Sequence, residues 1–259
     1  MRATLNRIAG GLKNSLGLKP RETSAVANEV RPGTQFLDVQ RRIRIYLRAL
    51  WDCEFILKQT DVDFADEEDG GKVFIEDGII HLPSMLHDHL LDGVVQATGI
   101  ELYRAAAAHA AAHIMYTREP FSPKSLDKHQ VALISAIEDA RVETLAIRCF
   151  PGLRRLWAKQ HTATPADHKN AGDYLKRLAR ALLDEHYADD DTWIAEGRAL
   201  FAAADPEDQR IARSIGLKLS DSFRRMRVSL NLEAEAIPYR DDNRLTWKRR
   251  GKPLEIINP

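Results

Sequence analysis

The chain is poor in the features that would assign it quickly. Cysteine occurs twice in 259 residues, as Cys53 and Cys149. Two thiols do not make a disulfide framework. They fit a reducing compartment, each expected as a small buried hydrophobe. No stretch approaches the ~20 apolar residues of a membrane helix. The opening MRATLNRIAGGLKNSLGLKP has no continuous apolar core of signal-peptide type. A soluble, cytoplasmic protein with no membrane partner is therefore expected. Net charge is also missing: 38 basic and 38 acidic side chains balance, which excludes a histone-like nucleic-acid binder and an acidic solvating tail. Neither a G-x-x-x-x-G-K-[ST] loop nor a G-x-G-x-x-G run occurs, so nucleotide binding by those means is excluded. There is no G-x-S-x-G nucleophile elbow.

What is present is an ordinary globular balance, 44% hydrophobic and 29% charged, in a length that suits one large domain or two small ones. The zero net charge conceals a pattern. Residues 1–48 carry 10 basic and 3 acidic groups (+7), and 49–102 carry 2 and 13 (−11). The next blocks are 103–180 at +6, 181–208 at −8 and 209–259 at +6. Such alternation suits surfaces built for partners, or segments that pair with one another on folding.

Residues 1–33, rich in glycine, proline and basic groups, read as a flexible leader. From Phe36 the apolar spacing (Leu37, Ile43, Leu47, Leu50, Leu57) predicts a helix to about Leu57. The acidic stretch TDVDFADEEDGG lacks the EF-hand order of ligands and reads as a solvated loop. Asp77-Gly78 between VFI and IIHL predicts a two-residue hairpin. A short helical piece is expected at Met85–Leu91, then a long Ala-rich helix over 100–116. Pro120 and Pro123 end it, and Ser125 offers the N-cap of a helix running to about Cys149. Shorter helices are expected at 153–160, 171–186, 192–203 and 206–228, the last opening on Pro206. The expected fold is mainly α, a helical domain over 34–238 with one small β-hairpin. Residues 239–259 read as a polar tail or the start of a linker. Its Arg249-Arg250 beside Trp247 is too common a composition to indicate nucleic acid.

The sharpest chemical feature is His109-Ala-Ala-Ala-His113. Positions i and i+4 share a helix face, so both imidazoles can reach one ion. Glu138 is the third candidate: it interrupts the otherwise apolar stripe Val131, Ile134, Val142, Leu145, where a carboxylate must be paired, protonated or metal-bound. Two histidines one turn apart plus a glutamate on the next helix resemble the zinc ligand set of gluzincin metallopeptidases. There, however, the motif is H-E-x-x-H, and its general-base position holds Ala110 here. A degenerate zinc site or hydrolase is one expectation. The other is a polar core network in which the histidines meet Glu138 or Asp139, with Arg141 or Arg104 nearby. His87 and His89 diverge too far for a shared role, and His161 and His168 read as surface residues.

The stretches YLRALWDCEFILKQ, FIEDGIIHLP, YRAAAAHAAAHIMYT, SAIEDARVETLAIRCFPGL and ARALLDEHYADDDTWIAEGRALF resemble the CbbO/NorD family across about Phe36 to Asn243. AAAAHAAAHI, HTATP, AGDYLKRLARALLDE and PYRDDNR lean toward its CbbO branch. The resemblance implies a non-catalytic partner of a MoxR-type AAA+ ATPase hexamer (CbbQ-like) that remodels inhibited Rubisco and releases tight-binding sugar phosphates. The NorD branch implies activation of nitric oxide reductase instead. Family members end in a von Willebrand factor A domain with a D-x-S-x-S motif, and no such run occurs here. The expectation is the N-terminal docking region, with Rubisco contacted through the missing C-terminal part. The acidic 61–69 loop and the Asp189-Asp190-Asp191 turn are the candidate docking surfaces.

Overall fold

Strand β1 (Gly33–Gln35) leads directly into helix α1 (Phe36–Trp51), whose Phe36, Val39, Ile43 and Leu47 turn inward at three-to-four spacing. The computed structural model describes residues 33–60, 72–91, 93–232 and 237–248. The expected leader up to Pro32, the acidic 61–69 loop and Arg249-Arg250 lie outside the described residues. Helix α1 ends earlier than Leu57: Asp52 adopts a left-handed conformation (φ 52°) and donates its N–H to the Arg48 carbonyl. Ile56–Gln59 then alternate in exposure as strand β2, so Leu57 enters the core from a strand.

The hairpin forms where Asp77-Gly78 predicts it. Strands β3 (Phe74–Glu76) and β4 (Ile79–Leu82) join through Asp77 (φ 50°) and Gly78 (φ 73°), the paired positive φ of a type I′ turn. It is not the sole β element. Strand β2 adds to it in parallel, giving the order β2-β4-β3. The stretch expected as a helix at Met85–Leu91 is two strands, β5 (Met85–His87) on β1 and β6 (His89–Leu91) on β7 (Val94–Ala97). Seven residues are too few to sustain an isolated helix, and β1 and β7 offer their backbone groups partners instead.

The remaining described elements are helical: α2 (Gly99–Tyr116), α3 (Lys128–Cys149), α4 (Gly152–Ala158), α5 (Ala171–Leu183), α6 (Thr192–Ala202) and α7 (Arg210–Arg225). The fold is mainly α. Thr98 and Glu101 close a capping box at the start of α2. Its alanines 105–108 and 110–112 have no exposed surface, so α2 is enclosed on nearly every side. Asp127, not Ser125, caps α3, accepting the His129 and Gln130 N–H groups. Pro206 sits in a turn, and α7 starts four residues later.

Helix α3 links two cores. Its Val142, Ala146 and Ile147 join α1, the β2-β4-β3 sheet, α2 and Trp157, while its Leu133, Ile134 and Ile137 join α5, α6 and α7. Helix α7 approaches closely at Gly216, where a Cβ would lie 2.9 Å from the Ile134 backbone. The expected polar tail is no tail over residues 239–248. Tyr239 and Thr246 are fully buried, the Asp242 N–H binds the Val73 carbonyl, and the Trp247 indole binds Ser135 Oγ at 2.9 Å. Aromatic and carboxylate side chains anchor the segment against α2 and α3. Among the described residues no helix is long and apolar enough to cross a membrane.

Candidate metal centre

Helix α2 carries His109 and His113 on one face, their rings 4.8 Å apart and both wholly buried. Helix α3 presents Asp139 and Glu143, also one turn apart, toward that face. The 237–248 segment supplies Asp241 from above. One donor atom each from His109, His113, Asp139 and Asp241 lies within 4.8 Å of all the others. His113 Nε2 is 3.3 Å from Asp139 Oδ1 and 3.8 Å from Asp241 Oδ1, and His109 Nε2 is 3.5 Å from Asp241 Oδ1.

The expected ligand set is only partly assembled. His109 and His113 meet, but Glu138 points to the adjoining side of α3. There its oxygens accept from Arg141 Nε and Nη2, both at 2.7 Å, and from Thr117 Oγ1 at 2.7 Å. Thr117 Oγ1 in turn lies 3.0 Å from His113 Nδ1, so Glu138 reaches the histidine only through a hydroxyl. Asp139 and Asp241 occupy the carboxylate places. Arg104 takes no part; its guanidinium lies over the Tyr46 ring.

Around these four residues is a second tier of charge. Glu143 Oε1 is 3.2 Å from His109 Nδ1, accepts the Tyr239 hydroxyl at 2.8 Å and is paired with Arg240. Arg240 also reaches Asp139 Oδ2 at 3.2 Å. Burial opposes ionisation of Glu143, but Arg240 and His109 overcome it and hold the carboxyl well below the usual carboxylate range. Burial likewise opposes charge on His109, yet Asp241 and Glu143 push its pKa up to about 9. The carboxylates therefore favour a positive charge at His109, from a proton or from a cation.

Hydrogen bonding within the cluster is nevertheless incomplete. Both nitrogens of His109 and both carboxylate oxygens of Asp241 are buried without a hydrogen-bond partner among the described residues. The close His109 contacts to Glu143 and Asp241 have the distance of a polar contact but not the direction of a hydrogen bond.

Other candidates resolve differently. His161 is buried, not on the surface: its Nε2 lies 2.9 Å from the Tyr239 hydroxyl. Burial, with Arg240 nearby, lowers its pKa to about 3. His168 is exposed as expected. His87 and His89 fall on successive strands, and His89 Nδ1 contacts Gln160 Oε1. In the acidic turn, Asp189 is bound to Arg177 and Tyr187, and Asp191 caps α6, which leaves Asp190 exposed. Cys149 is exposed and Cys53 half-buried, so neither is the expected buried hydrophobe.

Sequence reasoning passed over Glu143, Tyr239, Arg240 and Asp241. For α3 a signal existed: Asp139 and Glu143 repeat the i, i+4 spacing of the two histidines, so both helices offer a matched polar face. For Asp241 there was none, because its burial depends wholly on contacts distant in sequence. No protein-family model matches the chain, and no curated protein and no solved structure shows significant similarity to it.

Proposed function

We propose that this chain is a non-catalytic adaptor that docks on a MoxR-type AAA+ ATPase of the CbbQ kind and takes part in ATP-driven release of inhibitory sugar phosphates from Rubisco. The observation that carries the reading is the collinear likeness to CbbO, whose separate stretches belong to one connected framework. YLRALWDCEFILKQ forms the end of α1 and strand β2, FIEDGIIHLP the hairpin, and YRAAAAHAAAHIMYT most of α2. SAIEDARVETLAIRCF runs along α3, and PYRDDNR supplies Tyr239, Arg240 and Asp241 to the same interior. The stretches that carry the likeness thus include residues at the centre of the domain.

Two features favour an adaptor over a zinc hydrolase. Ala110 stands where a gluzincin has its general base, and it is fully buried. The donor side chains His109, His113, Asp139 and Asp241 are at most 4% exposed, so a substrate carbonyl has no approach to them. A hydrolytic metal needs an open position for water and substrate.

The test is a pull-down of the full chain with its cognate ATPase and ATP at low and high salt. Retention at low salt, weakened by salt through screening of the charged surfaces, is the expected result. Failure to bind at either ionic strength refutes the proposal.

A further inference from the structure

We propose that His109, His113, Asp139 and Asp241 bind one divalent transition-metal ion, zinc foremost, in a closed structural site that pins the 237–248 segment to α2 and α3. This goes beyond the adaptor reading and does not depend on it.

Four observations carry the inference. The first is donor chemistry. Two imidazole nitrogens and two carboxylate oxygens suit zinc and its neighbours, whereas calcium and magnesium prefer oxygen alone. The second is spacing. Metal–ligand bonds of about 2.0–2.1 Å place tetrahedral ligands about 3.3–3.4 Å apart. Three of the six edges, at 3.3, 3.5 and 3.8 Å, approach that value, and all four donors lie within 4.8 Å of one another, so an ion would draw them inward.

The third is the set of orphaned atoms. Among the described residues, both oxygens of Asp241 and both nitrogens of His109 are buried without hydrogen-bond partners. Such groups are costly to bury, and an ion between His109 Nε2 and Asp241 Oδ1 would satisfy one orphaned atom of each residue. The fourth is charge and support. Three carboxylates, Asp139, Asp241 and Glu143, face the guanidinium of Arg240, so with both imidazoles neutral, as metal ligands are, two negative charges remain for a divalent cation to balance. Glu138 does not alter that balance, because Arg141 neutralises it.

Three of the four ligands also have a second contact behind them. His109 Nδ1 faces Glu143, and His113 Nδ1 faces Thr117, itself anchored on Glu138. Asp139 is steadied by Arg240. Histidine ligands of metals are regularly oriented this way, by a carboxylate or hydroxyl on the nitrogen remote from the ion. Four protein ligands fill a tetrahedron, so the site is structural. Asp241 comes from a segment 98 or more positions away from the other three ligands along the chain, and the ion would tie that segment down.

The experiment uses the full chain, purified without a metal-affinity tag and stripped with a chelator. Zinc chloride is titrated in, with bound metal counted by mass spectrometry, and cobalt(II) is titrated in parallel. The expected result is about one equivalent of zinc, a rise in the thermal midpoint with zinc concentration, and slower amide exchange over 239–247. Cobalt should give the visible absorption of a four-coordinate ion. Asp241→Asn and Asp139→Asn should each weaken zinc binding at least tenfold, whereas Glu138→Gln should keep the site stoichiometric. Binding of less than about a tenth of an equivalent by the wild-type protein, with no change in its midpoint, overturns the proposal. So does zinc binding that neither aspartate substitution weakens, since the ion would then sit elsewhere. If an aspartate variant does not fold, the wild-type cobalt spectrum decides, and its absence refutes the site.

Discussion

Replacing Glu138 by glutamine separates the ligand set expected from sequence from the one the structure assembles. The Glu138 side chain has no exposed surface, and Arg141 is 2% exposed. Arg141 donates to both Glu138 oxygens at 2.7 Å, and further to the carbonyls of Tyr116 (2.7 Å) and Pro206 (3.0 Å). Glutamine keeps one acceptor, but its amide nitrogen would confront a guanidinium N–H, and the buried positive charge would lose its counter-ion. Breaking a buried pair from one side costs about 3–5 kcal/mol. The retained acceptor and the two carbonyls reduce this to about 2–3 kcal/mol. For a domain of this size that is a fall of about 5–10 °C in thermal midpoint. Zinc stoichiometry in the folded fraction should stay at about one, because Glu138 reaches His113 only through Thr117. Calorimetry and metal analysis on the same sample test both halves. Loss of zinc with an unchanged midpoint would place Glu138 in the coordination sphere and refute the assignment. A midpoint shift under about 2 °C would refute the energetic argument.

Two further outcomes follow from packing and protonation. Gly216→Ala places a Cβ 2.7 Å from Ile134 Cγ1 and 2.9 Å from its backbone nitrogen, forcing α7 off α3. It should cost about 1–2 kcal/mol in urea denaturation after the gain in helix propensity is subtracted, whereas Gly152→Ala, with open space around it, should cost nothing. His161, with a folded-state pKa near 3 against about 6.5 unfolded, binds a proton only in the unfolded chain across that window, so it lowers stability as pH falls from 6.5 toward 3. His161→Gln, measured with chelator present, should therefore show a shallower loss of stability between pH 6.5 and 5, by up to about 1.4 kcal/mol per pH unit. A difference between the two proteins that stays constant over that range would contradict the burial argument.

Local signals were legible where the determining forces are local. Asp77-Gly78 forms its turn because both positions tolerate positive φ, and the His109–His113 pair shares a face because helix geometry requires it. Misreadings arose where a distant partner decided the outcome. Leu57 fits the helical period of α1, yet pairing with β4 draws it into a strand. Met85–Leu91 has the composition of a short amphipathic helix, yet β1 and β7 take up its backbone. Ser125 is an adequate cap residue, but Asp127 sits where its carboxylate accepts two amide N–H groups at once. The largest omission, residues 237–248, has no periodicity. Its burial rests on Tyr239, Asp241 and Trp247 each finding a place prepared by α2 or α3.

The alternating charge blocks bear on the adaptor reading in the same way. Arg177 and Arg154, from the basic 103–180 block, pair with Asp189 and Glu185 of the acidic 181–208 block. Arg240, from the last basic block, is committed to Asp139 and Glu143 inside the protein. Part of the pattern that suggests partners is thus used within the fold, and what it offers a partner is narrower than the totals imply. Of the Asp189-Asp190-Asp191 turn, only Asp190 remains exposed. Asp189→Asn would leave Arg177, 3% exposed, without its main counter-ion and act on stability first. A loss of ATPase binding in that variant would therefore report misfolding, whereas the same loss in Asp190→Asn, with stability unchanged, would report docking.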